Sequence, residues 1–146
     1  GNLKSWWTKD DRAAFEERAM CVSNQFSSYE IQKGLNINGK LTLGENIADL
    51  GGLTMAYAAY QKSLEGKPRP ENIDGFTPEQ RFFLGYAQVW ATKSTTEFER
   101  QQVLTDPHSN ARYRVNGPLS NLPQFANAYG CKQGQPMVRP DMCKIW

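Results

Sequence analysis

The sequence lacks a long apolar run, a large excess of one charge and any cluster of basic residues. No stretch approaches the roughly 20 apolar residues that span a bilayer, and no basic, apolar and small-residue succession resembles a secretory signal. The 17 Lys and Arg residues are nearly balanced by 15 Asp and Glu residues, which leaves a net charge of +2. Because no basic patch is present, we expect no nucleic-acid partner.

Cysteine and histidine are also scarce. The three cysteines, Cys21, Cys131 and Cys143, include no Cys-x-x-Cys pair, and the one histidine, His108, lies far from them in the sequence. A zinc site built from cysteines is therefore not expected. In an oxidising compartment an odd number of cysteines leaves at least one thiol free or paired outside the chain.

The composition is that of an ordinary globular domain, or a large piece of one. Of 146 residues, 39% are hydrophobic and 22% are charged, which distinguishes the chain from a disordered one. Capping signals predict a mainly α fold. Thr8-x-x-Asp11 predicts a first helix, and Thr77-Pro78-Glu79-Gln80 combines an N-cap, a first-turn proline and a capping-box glutamine. Further helices are predicted over about Thr42 to Leu64, Thr96 to Leu104 and Leu122 to Tyr129.

Two connections are also predicted. Asn38-Gly39 favours a two-residue turn of a β-hairpin between Leu35 and Leu41, because both residues tolerate positive φ. The segment 66–70 contains one glycine and two prolines, so it is expected to be a surface loop.

Glu45 and Asp49 are four residues apart and share one face of the second predicted helix. On spacing alone, the favoured interpretation is that Glu45 completes a capping box with Thr42 while Asp49 is solvated. Two observations favour a metal ion instead. Gly51 and Gly52 each cost a helix about 0.8–1 kcal/mol relative to Ala, which suggests a closely approaching element. The acids also lie among apolar residues, where an unpaired carboxylate is costly.

Residues 44–53 form the most distinctive motif, Gly44-Glu45-Asn46-Ile47-Ala48-Asp49 followed by Gly51-Gly52-Leu53. Other motifs surround it, in order Trp6-Trp7, Asn38-Gly39, Thr42-Leu43, Phe82-Phe83, Ala87-Gln88-Val89-Trp90, Asp106-Pro107-His108-Ser109, Arg114-Val115-Asn116-Gly117 and Cys143-Lys144-Ile145-Trp146. With this series the chain resembles the neprilysin and endothelin-converting-enzyme family of zinc metallopeptidases over nearly its whole length. The resemblance implies that residues 1–146 are the C-terminal, helical part of a thermolysin-like catalytic domain.

That resemblance also implies a metal site shared with another segment. Such peptidases bind one Zn²⁺ through two histidines of a His-Glu-x-x-His helix and a glutamate of a later helix. Glu45 matches the glutamate ligand, and Asp49 matches the aspartate that orients a ligand histidine. The His-Glu-x-x-His sequence and its catalytic base are absent here, so we expect them upstream of Gly1 and expect this chain alone to be inactive.

Other residues match positions that act on the substrate. A single histidine in a Pro-containing loop is usually solvated, but His108 matches the family's histidine that donates to the oxyanion of the transition state, and Asp106 is close enough in sequence to orient it. Arg114 matches the arginine that binds the substrate backbone. Val89 and Trp90 are first interpreted as helix core; by resemblance they also line the pocket for the apolar side chain after the scissile bond.

The cysteines match family positions as well. Cys21 and Cys143 match a disulfide pair, whereas Cys131 matches a cysteine whose partner lies in the absent region. Ser109-Asn110 stands where Ser-Pro is usual in the family, so the family pattern does not define the loop around His108.

The expected function is therefore hydrolysis of internal bonds of oligopeptides, in an extracytoplasmic compartment, together with the upstream remainder of the same peptidase. Membrane anchoring of the parent protein stays open. Three alternatives remain: an inactive homologue that acts as a secreted binding module, a self-contained disulfide-bonded helical protein whose acids only cap, and a fragment that binds no metal by itself.

Overall fold

Residues 2–145, which the computed structural model describes, contain six helices and one short hairpin. The elements in order are α1 (Lys9–Ser27), β1 (Glu30–Gln32), β2 (Leu35–Asn36), α2 (Leu43–Leu64), α3 (Pro78–Val89), α4 (Thr96–Thr105), α5 (Ala111–Leu119) and α6 (Pro123–Tyr129). The mainly α architecture with an antiparallel hairpin is confirmed. Gly1 and Trp146, the last residue of the motif series, lie outside the described residues. Within that range no helix has both the length and the apolarity to cross a membrane.

Local capping signals explain most helix boundaries. Thr8 Oγ1 accepts from the Asp11 N–H at the start of α1, and Thr77 and Gln80 form the predicted capping box of α3. The helix α5 is the one that the sequence does not predict. It begins without a side-chain cap and carries Pro118 next to its last residue, so its local signals are weak and packing against α2 and α1 stabilises it.

The predicted position of the hairpin turn is wrong. The strands β1 and β2 are joined at Lys33-Gly34, where Gly34 has φ 76°, and not at Asn38-Gly39. Gly39 has a different role, because a Cβ added there would collide with the carbonyl oxygen of Ser23 in α1. Glycine at this position thus lets the chain pass close to α1 as it enters α2.

Two buried apolar clusters hold the helices together. The first packs α1 against α2 and the C-terminal segment, and includes Ala19, Val22, Phe26, Ile47, Leu50 and Ile145. The second packs α2 against α3 and the residues around α6, and includes Leu53, Phe83, Leu119 and Leu122. Since α2 contributes to both clusters, it is the central helix, and its remaining face carries the acids of the predicted site.

A disulfide joins Cys21 of α1 to Cys143, 122 residues later, which confirms the pairing that the resemblance implies. Buried amides support the same junction: Asn121 accepts from the Cys143 N–H (2.8 Å) and donates to Gln25 Oε1 (2.7 Å). Cys131 forms no disulfide with another described residue. The C-terminal segment is therefore fastened to α1 by both a covalent bond and polar contacts.

Candidate active site

The first two turns of α2 carry the predicted acids. The Glu45 side chain is 41% exposed, whereas that of Asp49 is 11% exposed. The capping-box interpretation of Glu45 is wrong, because Thr42 makes no side-chain cap hydrogen bond. Its hydroxyl instead donates to the Asn38 carbonyl (3.1 Å) and accepts from Asn46 Nδ2 (2.9 Å). Glu45 is thus left with an accessible carboxylate that accepts no hydrogen bond from the described residues.

The loop between α4 and α5 brings His108 to this carboxylate. His108 Nε2 lies 3.4 Å from Glu45 Oε2, although the two residues are far apart in sequence. The structure therefore brings together two residues that the motif series assigned to one site.

Asp106 orients the imidazole of His108 from the other side. Asp106 Oδ1 lies 2.7 Å from His108 Nδ1 and accepts from the His108 backbone N–H at 2.8 Å. That backbone bond first, and then the bond to the ring, lower the pKa of Asp106 below its ordinary range. An ionised Asp106 keeps the proton on Nδ1, which leaves Nε2 directed at the site.

Arg114 of α5 binds the second acid. Its Nε donates to Asp49 Oδ2 (2.7 Å) and its Nη2 to Asp49 Oδ1 (2.8 Å), while Nη2 is 3.5 Å from Glu45 Oε2. The hydrogen bonds to Asp49 raise the pKa of Arg114 above its ordinary value. The guanidinium also lies over the ring of Trp90, with Cζ 3.9 Å from the centroid. Asp49 therefore holds a permanent cation beside Glu45.

Val89 and Trp90 occupy different environments at the end of α3. Val89 is 70% exposed, so its interpretation as helix core is wrong. It lines an open cavity of about 380 Å³ whose wall includes Asp49, Phe82 and Tyr86. Trp90 instead packs on Arg114. Their predicted contact with a substrate side chain stays a prediction.

Tyr86 is a residue of the site that the sequence analysis placed only on an apolar helix face. Its hydroxyl donates to the carbonyl oxygen of Arg114 at 2.7 Å. Burial, reinforced by the charge of Asp49, raises the pKa of Tyr86 well above its ordinary value of about 10. A buried tyrosine hydroxyl needs a partner, but the sequence alone does not indicate which one.

The two glycines of α2 differ, because Gly51 is buried whereas Gly52 is exposed. A Cβ added at Gly52 meets nothing within 4 Å, so no described residue approaches Gly52 closely. Gly44, Ala48, Gly52 and Met55 instead line an apolar depression of about 510 Å³. Gly44, one of the residues that line this depression, directly precedes Glu45 in α2.

The described residues do not form a full metal site. No three His, Cys, Asp or Glu side chains between residues 2 and 145 are placed to hold a metal ion together. Glu45 fits the single-ligand role, because its carboxylate is accessible and free of hydrogen bonds. A carboxylate oxygen is also a donor that zinc accepts.

Comparison with known proteins gives a consistent result. The profile of Peptidase family M13 matches residues 1–145. The chain is 43% identical over 148 residues to endothelin-converting enzyme 1 of Homo sapiens, covering all of this chain and 19% of that protein. It is 43% identical over 151 residues to neprilysin-1 of Caenorhabditis elegans, covering all of this chain and 20% of that protein.

A solved structure has the same fold. The zinc metalloprotease ZMP1 of Mycobacterium tuberculosis, in complex with an inhibitor, superposes with a TM-score of 0.88 at 38% identity, covering 99% of this chain and 23% of that one. The chain thus spans about a fifth of the length of its curated relatives. On the match of the whole sequence and fold, this chain belongs to peptidase family M13.

Proposed function

We propose that this chain forms part of a zinc-dependent endopeptidase that hydrolyses internal bonds of oligopeptides. The observation that carries the proposal is the meeting of Glu45 and His108, with Glu45 Oε2 and His108 Nε2 3.4 Å apart. The two residues come from separate motifs, and the family resemblance implies that both act at one site. Membership of a peptidase family and the zinc metalloprotease neighbour support the same conclusion.

In this proposal Glu45 supplies one zinc ligand, and an upstream His-Glu-x-x-His helix supplies two histidines and the catalytic base. Bound zinc would provide Lewis acidity and would activate water for attack on the peptide carbonyl. Asp49 would accept a ring N–H from a ligand histidine. It can do so while it binds Arg114, because a carboxylate offers about four acceptor sites.

His108 would stabilise the negative charge that develops on the carbonyl oxygen. Because Nδ1–H is committed to Asp106, Nε2 can donate a hydrogen bond only when the ring is an imidazolium. A charged donor aimed at the oxyanion is worth more in the transition state than in the ground state. Asp106 holds the ring in place through its bond to Nδ1.

Arg114 would hold the substrate backbone. Two of its three nitrogens bind Asp49, while Nη1 makes no hydrogen bond within the described part of the chain and can donate to a peptide carbonyl. Val89 and the cavity beside it would receive the apolar side chain that follows the scissile bond, with Trp90 fixing the guanidinium plane.

The proposed location is extracytoplasmic. The disulfide between Cys21 and Cys143 is of the structural kind that persists in oxidising compartments.

The test is made on the longer protein that contains this chain. The proposal predicts a His-Glu-x-x-His sequence in the upstream segment and cleavage of a fluorogenic oligopeptide that stops on chelation and returns with Zn²⁺. Isolated residues 1–146 should show no cleavage. An upstream segment without the two histidines would overturn the proposal and favour a binding module without activity.

A further inference from the structure

A buried hydrogen bond connects the neighbours of the two central site residues. Ser109 Oγ donates to Asn46 Oδ1 at 2.8 Å, and the two residues are 2% and 1% exposed. Asn46 follows Glu45 in α2, and Ser109 follows His108 in the loop. The bond thus joins the two residues that directly follow Glu45 and His108, the pair that the proposed mechanism uses.

The bond is the first of three successive hydrogen bonds, in which each residue donates to the next, from Ser109 to Asn46, Thr42 and Asn38. Asn46 Nδ2 donates to Thr42 Oγ1 (2.9 Å), and the Thr42 hydroxyl donates to the Asn38 carbonyl (3.1 Å). Turning the Asn46 amide over would set its carbonyl oxygen against the Thr42 oxygen, whose hydrogen is already donated to Asn38, so the bond between Asn46 and Thr42 would be lost. Because all three side chains are buried, water cannot compensate, and the amide orientation is fixed.

Few other polar contacts hold this loop to α2. Within the described residues, Asp106 bonds inside the loop and Asn110 Nδ2 donates to Gln102 of α4. The direct contact between His108 and Glu45 is 3.4 Å long, and both side chains are more than 40% exposed, so it contributes little rigidity. The Asn46–Ser109 bond is therefore the side-chain hydrogen bond that fixes residues 107–110 to α2.

We infer that Asn46 and Ser109 are positioning residues that set the distance between Glu45 and His108. Successive residues of a helix point about 100° apart, so one turn of α2 presents Glu45 to the site and Asn46 to the core. This inference rests on the proposed function, in which Glu45 fixes the metal and His108 must reach the oxyanion beside it. A displacement of about 1 Å can lower turnover about 100-fold.

The first test needs no catalytic activity. His108 is the only histidine of the chain, so the ring ¹H–¹³C signal of residues 1–146 reports on one residue. Ser109→Ala should shift or broaden that signal. Ser120→Ala is the matched control, because Ser120 is equally buried and donates to the Gly117 carbonyl at 2.8 Å, outside the site; it should leave the signal unchanged.

The second test measures hydrolysis by the longer protein. Ser109→Ala and Asn46→Ala should each lower kcat about 10-fold or more, with KM and zinc content unchanged, and the double variant should lose no more than the worse single variant. Ser120→Ala should keep the parent kcat. Where Ser109→Ala does not fold, Thr42→Val provides the same comparison with a smaller loss.

The experiments distinguish a failure of the positioning role from a failure of the proposed peptidase function. Equal effects of Ser109→Ala and Ser120→Ala on the His108 signal would overturn the positioning role, whatever the activity. Multiplicative losses of kcat in the double variant would also overturn it. A parent protein that binds no zinc would overturn the proposed function, while a His108 signal that moves only with Ser109→Ala would still support the structural coupling.

Discussion

Arg114 and Asp49 form a two-point ion pair in which Nε and Nη2 each donate to a different carboxylate oxygen, at 2.7 and 2.8 Å. Both side chains are almost buried, at 13% and 11% exposure, so the pair is shielded from water more than a surface salt bridge is. It fixes α5 to α2 beside Glu45, and it leaves one nitrogen of the guanidinium for another partner.

The first prediction concerns the geometry of this pair. Arg114→Lys keeps the charge but loses the planar two-point contact, so the free energy of unfolding should fall by about 2 kcal/mol and KM for a peptide should rise. Arg112→Lys is the control, because Arg112 is exposed and should change stability by less than about 0.5 kcal/mol. Urea unfolding and steady-state kinetics measure both effects. Equal behaviour of the two variants would contradict the assigned role.

The second prediction concerns stability at alkaline pH. The pKa of Tyr86 is raised in the folded state, so above pH 10 the unfolded chain loses this proton more readily than the folded chain. The stabilisation is complete below the ordinary pKa and declines as pH rises through it. Tyr86→Phe should therefore be less stable at pH 7, by about 1 kcal/mol for the lost bond to the Arg114 carbonyl.

The same variant should lose less further stability between pH 10 and pH 12. Thermal unfolding followed over that range by circular dichroism measures the slope. Tyr60→Phe is a suitable comparison, because Tyr60 is also buried enough to have a raised pKa but lies away from Asp49. A slope for Tyr86→Phe as steep as that of the parent chain would contradict the assignment.

The third prediction separates catalysis from metal binding. His108→Phe in the longer protein should keep its zinc, because His108 is not a proposed ligand, and should lose about 100- to 1,000-fold in kcat. Asp106→Asn should give a smaller loss. Metal analysis together with kinetics is the measurement, and a His108→Phe protein without zinc would contradict the oxyanion role.

The fourth prediction concerns the disulfide. Cys143→Ser removes a bond across 122 residues and should destabilise the chain by about 4–5 kcal/mol in the chain-entropy model. Cys131→Ser should have little effect on residues 1–146, since Cys131 forms no disulfide with a described residue. Calorimetry of the two variants tests the difference, and a similar melting temperature for both would refute it.

The sequence predicts most helices because their boundaries are encoded locally. Thr8, Thr77 and Gly130 act through neighbours within four residues, and each behaves as predicted. The helix α5 and the hairpin turn depend on distant contacts instead. The Asn-Gly pair predicts a turn at Gly39, but the proximity of Gly39 to Ser23 comes from the packing of α1, which no local pattern encodes.

The candidate site likewise combines residues that local motifs indicate with contacts that only the fold creates. The roles of Glu45, Asp49, His108 and Arg114 are implied by motifs of the resembling family and stay predictions, while the structure places the four residues close together. The contacts between them could not, since Arg114 pairs with Asp49 and Asn46 bonds to Ser109 across more than 60 residues. Tyr86 was missed because an aromatic residue on a helix face is most often core.

The central claim is that Glu45 is a zinc ligand, and zinc content of the longer protein tests it most directly. Glu45→Gln should lower bound zinc from about one ion per chain to a small fraction and abolish hydrolysis in parallel. Glu65→Gln, at the other end of α2, should leave both unchanged. A Glu45→Gln protein that retains a full equivalent of zinc would contradict the account.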